Sequence, residues 1–225
     1  MPQHSDPTLG ALDLAADRAR ALALTPVPRE TVERLERFVE FLLPWTDRTN
    51  LIARSTIPTV WTRHIADSLQ LWPLAPKAKS WVDLGSGAGF PGIVLACALA
   101  GRLGAVVHLV ESTGKKATFL REAVHHLGLP AEVHAVRIED FVKNSRPLPD
   151  VVTARALAPL ARLLELASPL LMKGALGLFP KGQDVEGELT TASKYWNIDA
   201  QLVPSQTSPQ ARIVVVRGLK RRHKG

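Results

Sequence analysis

The 225-residue sequence holds one cysteine, one tyrosine and two methionines. A lone thiol, Cys97, excludes a disulfide framework and a cysteine-rich metal site. Within "VLACALAG" it reads as a small apolar residue on a helix. Long hydrophobic runs are missing too, since none approaches the ~18 apolar residues that cross a bilayer. The opening "MPQHSDPTLG" has neither the basic start nor the apolar segment of a secretory signal. These absences predict a reducing, cytoplasmic setting with no membrane partner. Acid is scarce relative to base, with 28 Lys/Arg against 21 Asp/Glu and a formal charge of +7. That balance suits a polyanionic partner, although a merely basic enzyme fits it as well.

The charge is unevenly spread. Residues 1–75 carry 8 basic and 9 acidic side chains, whereas residues 76–225 carry 20 and 12. Six of the 20 fall in the last fourteen residues, ending in "GLKRRHKG". Such a run is either solvated or an arm that tracks phosphates.

Hydrophobic spacing divides the chain at the same place. Three helical patterns open it: Leu9–Leu24, Arg29–Trp45 and Thr56–Trp72. The second puts Val32, Leu35, Phe38, Val39 and Leu42 on one stripe opposite its charges. "PLAPKAK", with two prolines, reads as a linker. The expected organisation is a helical cap over 1–75 and a second domain over 76–225. From Ser80 short apolar runs alternate with helical stretches: "WVDLG", "VVHLVE", "EVHAV", "DVVTAR" and "LGLFPKG" read as buried parallel strands. The alternation implies an α/β fold with a mostly parallel sheet covered on both faces. "AQLVP" and "ARIVVVRGL" leave no room for a crossover helix, so they pair antiparallel at the edge and bring the sheet to seven strands.

"DLGSGAGFPG", Asp83 to Gly92, follows the first strand and places four glycines in ten residues. A loop there sits where nucleotides bind in open α/β sheets, and glycine lets backbone approach a ligand. A phosphate-binding P-loop needs a Gly-Lys-Ser/Thr ending, which is missing. A dinucleotide fingerprint needs a third glycine where Phe90 stands. The remaining pattern, Gly85, Gly87 and Gly89 after Asp83, resembles the first motif of class I methyltransferases that bind S-adenosylmethionine. Glu111 closes the second strand at the distance where an acid accepts ribose hydroxyls.

A narrower resemblance rests on "NLIARS…WTRHIADSL", "LGSGAGFPGIVLA", "VESTGKKATFL", "RIEDF" and "TARALAPL". Together they resemble the bacterial small-subunit rRNA guanine-N7 methyltransferases, the glucose-inhibited division protein B family, which modify guanosine 527 of 16S rRNA. The resemblance spans about Leu35 to Lys181. It implies a helical cap on a Rossmann-like methyltransferase domain and S-adenosylmethionine as cofactor. It implies cofactor contacts at Gly85, Gly87, Gly89 and Phe90, at Glu111 by the ribose, at Ile138 and Glu139 by the adenine, and at Arg155 by the methionine end. The implied partner is 16S rRNA, free, in an assembly intermediate or in the small subunit, acted on by a monomer. "NLIARS" and "FPKG" depart from the family's more common Asn-Leu-Thr and Leu-Lys-Gly.

Guanine N7 offers a lone pair and has no proton to lose, so that reaction requires no general base. In keeping with this, "TARAL" follows the fourth strand where exocyclic-amine methyltransferases carry Asp/Asn-Pro-Pro-aromatic, and the cysteine pair of pyrimidine C5 enzymes is missing. Arg155 is the candidate catalytic residue, as positioner of the cofactor carboxylate or the guanine, or else a cap on a structural carboxylate. Phe90 could lie against cofactor or a flipped base. Lys181, Arg221 and Arg222 are candidate RNA contacts, with a plain surface lysine as the alternative for Lys181. His64 and Asp67 share a helical face, either as a structural pair or as a closure over the cofactor. No metal is expected, because His125 and His126 have no third ligand beside them. A methyltransferase for another RNA or small molecule, and a non-catalytic RNA-binding module on the same fold, are the competing readings.

Overall fold

The computed structural model describes residues 7–145 and 147–222, with side chains from Leu14 onward. Helices α1 (Pro7–Leu24) and α2 (Arg29–Thr49) open the chain. Leu35, Phe38, Val39 and Leu42 form the buried stripe of α2, and Val32 at its margin is only half-buried. The helix stops at Asn50, whose left-handed conformation (φ 48°) lets its N–H bond the Thr46 carbonyl.

The third helical pattern does not form one helix. It breaks into a 3-10 turn (Arg54–Thr59), a π-turn (Trp61–Ala66), a short α3 (Asp67–Leu69) and a second 3-10 turn (Trp72–Leu74). Of the apolar face expected there, Trp61, Ile65 and Leu69 are buried and Trp72 is half-buried. Pro58 has no N–H to give a continuous helix, and buried Asp17 on α1 caps a fresh start by accepting the Trp61 and Thr62 N–H groups at 2.9 and 3.1 Å.

The sheet contains β1 (Ser80–Leu84), β2 (Val106–Val110), β3 (Ala131–His134), β4 (Val151–Thr153), β5 (Leu176–Lys181), β6 (Trp196–Pro204) and β7 (Arg212–Arg221), in the order β3-β2-β1-β4-β5-β7-β6. The first five are parallel, and β7 pairs antiparallel with both β5 and β6, as the missing crossover required. Between the strands run α4 (Gly92–Leu99), α5 (Gly114–Leu127), α6 (Ile138–Asn144), α7 (Leu160–Leu171) and α8 (Val185–Ala192); α6 and α8 are too short to show a clear period.

Neighbouring strand residues serve opposite faces. Trp81 joins the core formed with Phe38, Leu42, Ile93 and Phe119 of the cap, α4 and α5. Val82 joins the core beneath α6, α7 and α8, with Val142, Leu163 and Val185. Strand order reverses at β1, so its carboxyl end is the topological switch point. Among the described residues, no helix is long and apolar enough to cross a membrane.

The basic end requires a correction. Lys220 and Arg221 belong to β7, paired with Asn197 and Trp196, and the Arg221 guanidinium lies 5.6 Å over the Trp196 ring. The Arg222 N–H bonds the Tyr195 carbonyl, and its Nε donates to Asn197 Oδ1. Alternation toward the sheet continues through Leu219 and carries the arginines into the ladder, so they are not a loose arm. Lys224 lies outside the described residues.

Candidate active site

The glycine loop starts where β1 ends. Gly85 and Ser86 donate their N–H groups to the Val110 carbonyl at 2.9 and 3.0 Å, which holds the loop against the end of β2. Gly85, Gly87 and Gly89 all have positive φ (71°, 55° and 87°), which only glycine adopts without strain. Their surroundings differ. A Cβ on Gly85 would meet Leu157 at 2.7 Å and one on Gly89 would meet Ile93 at 2.5 Å, whereas at Gly87 the nearest atom is the Gly85 carbonyl oxygen at 3.8 Å. Gly87 therefore faces open space, and the other two pack.

Asp83 fastens the loop from below. It is fully buried, and its Oδ2 accepts the Gly92 N–H at 3.0 Å. Gly92 must be glycine, because a Cβ there would lie 2.2 Å from Leu109 and 2.7 Å from Asp83 Oδ2. The other carboxylate oxygen, Oδ1, is buried without a hydrogen-bond partner among the described residues. Burial raises the Asp83 pKa from 3.8 to about 7, although the bond from Gly92 opposes the rise.

Glu111 is also buried; its Oε2 accepts the Gly87 N–H at 3.0 Å and its Oε1 the Thr113 N–H at 2.7 Å. With Gly85, Gly87, Ile138 and Arg155 it lines a cavity of about 280 Å3, to which Ser112 and Lys116 add a polar wall. Glu139 stands outside that lining, on α6, with its Oε1 2.9 Å from Arg162 Nη2. Phe90 is also turned away from the cavity. It is buried in the cap interface, 4.8 Å from the His64 ring and 5.5 Å from Phe38.

Arg155 lies just past β4, ahead of Ala156, a non-glycine residue with φ 52°. Its Nη1 donates to Asp67 Oδ2 and to the Arg63 carbonyl, each at 3.1 Å, and its Nη2 to His64 Nδ1 at 2.7 Å. The guanidinium also lies 5.2 Å from the Phe90 ring. A guanidinium only donates, so His64 Nδ1 accepts and the proton sits on Nε2, which faces Thr56 Oγ1 at 3.0 Å. Burial, then the charges of Arg155 and Arg63, lower the His64 pKa to about 3. His64 is thus a neutral spacer rather than an acid or base near pH 7. Asp67 turns its second oxygen to Gln70 and Thr207, at 2.9 and 2.8 Å, joining the cap to the β6–β7 connection.

On the far side of Arg155 a larger cavity of about 850 Å3 opens between the cap and the β5–β7 edge. Arg20, Arg63, Lys181 and Arg212 bring positive charge to its wall. Lys181 is largely buried and committed, its Nζ 2.7 Å from Glu188 and 3.0 Å from the Ala158 carbonyl. Arg63 has no hydrogen bond or ion pair from its guanidinium among the described residues. Arg212 pairs with Lys181 at the cavity, whereas Arg221 ends the same strand nine residues on. At about 3.3 Å per residue that is roughly 30 Å away, at the opposite end of the strand. Arg20, Arg63 and Arg212 thus line the cavity, whereas Arg221 and Arg222, the RNA candidates expected from the sequence, stand away from it. Only β-strand pairing, invisible in the local sequence, distinguishes them.

The family profile described as rRNA small subunit methyltransferase G matches residues 31–214. The chain belongs to this family. It is 59% identical over 208 residues to the Ribosomal RNA small subunit methyltransferase G of Bradyrhizobium sp. (strain BTAi1), covering 92% of this chain and 94% of that one. A second relative of the same name, from Bradyrhizobium sp. (strain ORS 278), is 58% identical over 210 residues, covering 93% and 95%. Among solved structures, the O-methyltransferase from Bacillus cereus, in complex with SAH, superposes with a TM-score of 0.60 at 16% identity, covering 92% of this chain and 99% of that one. At that identity the likeness establishes the shared methyltransferase fold.

Proposed function

We infer that this chain transfers a methyl group from S-adenosylmethionine to N7 of guanine 527 in 16S rRNA. The observation that carries the reading is Arg155, which lines both cavities: the small one at the glycine loop and the larger, basic one at the cap. The first fits the cofactor, with open space at Gly87 and a buried carboxylate at the strand end to accept hydroxyls. The second fits a base extruded from RNA, with Arg63 and Arg212 placed for its phosphates.

When bound, the cofactor supplies a methyl group already activated by a sulfonium centre. The protein's own contribution is placement. Glu111 and the Gly87 backbone hold one end of the cofactor, Ile138 and Leu157 offer apolar walls, and Arg155 positions its carboxylate or the guanine. Guanine N7 attacks with its own lone pair, so no residue has to remove a proton. This agrees with a site whose one histidine is held neutral with Nδ1 already occupied. Catalysis then rests on alignment and on a fixed electrostatic environment.

The partner would be 16S rRNA, free, in an assembly intermediate or within the small subunit, met in the cytoplasm by a monomer. Mapping N7-methylguanine in 16S rRNA from a strain lacking this gene tests the reading. Loss of the modification at position 527, restored by the purified protein with S-adenosylmethionine, is expected; persistence of the modification in the deletion strain would refute it.

A further inference from the structure

His108 on β2 and Glu132 and His134 on β3 stand on one face of the sheet, outside the lining of both cavities. Parallel register sets His108 opposite Glu132, and the two-residue period of β3 returns His134 to the same side. His108 Nδ1 lies 3.0 Å from His134 Nε2 and 3.4 Å from Glu132 Oε2, and the last two atoms are 3.9 Å apart. Two imidazoles and a carboxylate thus converge from two strands, half-buried at the histidines and open to water at Glu132.

We propose that His108, Glu132 and His134 bind one divalent transition-metal ion, with zinc the best match. A point equidistant from three atoms at those separations lies about 2.0 Å from each, which is the zinc–nitrogen and zinc–carboxylate bond length. Two imidazoles with one carboxylate suit zinc and its neighbours and disfavour magnesium or calcium, which take oxygen ligands. Phe141 of α6 backs the pair, with its ring 4.8 Å from that of His134 and 6.2 Å from that of His108.

The expected role is structural. β3 is the outer strand at this edge, and the His134 carbonyl accepts the Glu111 N–H at 3.1 Å. An ion here would clasp β3 to β2 beside the residue that faces the cofactor, while touching neither cavity. The sequence expectation of no metal weighed His125 and His126, whereas these ligands are other residues brought together by the pairing of β2 with β3.

The test is calorimetric titration of chelator-treated, full-length protein with zinc chloride, alongside His108→Phe, His134→Phe and Glu132→Gln. The wild-type protein should bind one equivalent and melt at a higher temperature with it. A supporting residue around a metal ligand is worth roughly 10–100-fold in affinity, so loss of a histidine ligand should cost about 100-fold or more. S-adenosylmethionine affinity without zinc should be unchanged in all three variants, which shows that they fold. Glu132→Gln, at an exposed position, should also weaken zinc and keeps the test open if a histidine variant does not fold. No stoichiometric zinc binding by the wild-type protein, or undiminished binding by the variants, would overturn the proposal.

Discussion

The two cavities that meet at Arg155 are built in opposite ways. The glycine-loop cavity draws its main residues from strand ends and the turns after them: Gly85 and Gly87 after β1, Glu111 after β2, Ile138 after β3 and Arg155 after β4. The cap-side cavity is assembled from α1, the π-turn, the end of β5 and the start of β7, segments far apart in sequence. Repetition of one fold unit makes the first, and tertiary packing makes the second. Changes in the first should therefore act on cofactor affinity, and changes in the second on RNA.

The largest expected effect is at Gly87. Gly87→Val puts a β-branched residue at φ 55° and fills the open space beside the loop. Cofactor binding should vanish by calorimetry while the far-ultraviolet circular dichroism stays native. Unchanged affinity in the folded variant would remove this cavity as the cofactor site.

Glu111→Gln should act in the same direction more gently. The amide cannot accept from Gly87, Thr113 and ribose hydroxyls as a carboxylate does, so cofactor affinity should fall by about 1–3 kcal/mol. RNA affinity measured without cofactor should not change. A parallel loss of RNA binding would break the division between the cavities.

Asp83 predicts a pH effect on stability. Its pKa is about 7 when folded and ordinary when unfolded. The folded state therefore holds the extra proton between about pH 4 and 7, and this contribution to stability grows as pH falls through 7. His64 acts oppositely between its ordinary range and about 3, so the comparison must be with Asp83→Asn. Denaturant titrations at pH 8 and pH 5.5 should show the wild-type protein gaining on the variant at the lower pH by about 2 kcal/mol. A pH-independent difference would show that Asp83 is not the titrating group.

The smallest effects concern β7, whose two ends compare like with like. Arg212→Ala, at the cavity, should lower the salt slope of rRNA binding by roughly 0.7–0.9, as should Arg63→Ala. Arg221→Ala with Arg222→Ala, at the far end, should leave that slope unchanged. Equal slopes for both ends would spread the RNA footprint over the whole strand.

The same contrast explains what could be read from the sequence. Strand–helix alternation, the switch-point loop and the antiparallel edge follow from local pattern, so the seven-stranded sheet was legible. So were Gly87, Glu111, Ile138 and Arg155, because each follows a strand. That the Phe90 ring packs against the cap was not legible, because a loop position does not reveal what a ring has to pack against. Glu139 stands one residue past the lining, within the uncertainty of a helix start. The π-turn was hidden because the apolar spacing at Trp61, Ile65 and Leu69 is the same for a straight helix. The Asp67–Arg155 pair and the Arg212 wall depend on segments brought together by folding, about which spacing says nothing.

The central claim is that Arg155, held by Asp67, couples the cap to catalysis. A double-mutant cycle on kcat/KM for rRNA, using Arg155→Ala, Asp67→Asn and the pair, tests it most directly. Arg155→Ala alone should cost about 100-fold or more, as does loss of one preorganised donor in other active sites. Adding Asp67→Asn to it should then cost almost nothing, because the residue it positions has gone. Independent losses that multiply in the double variant would contradict the account.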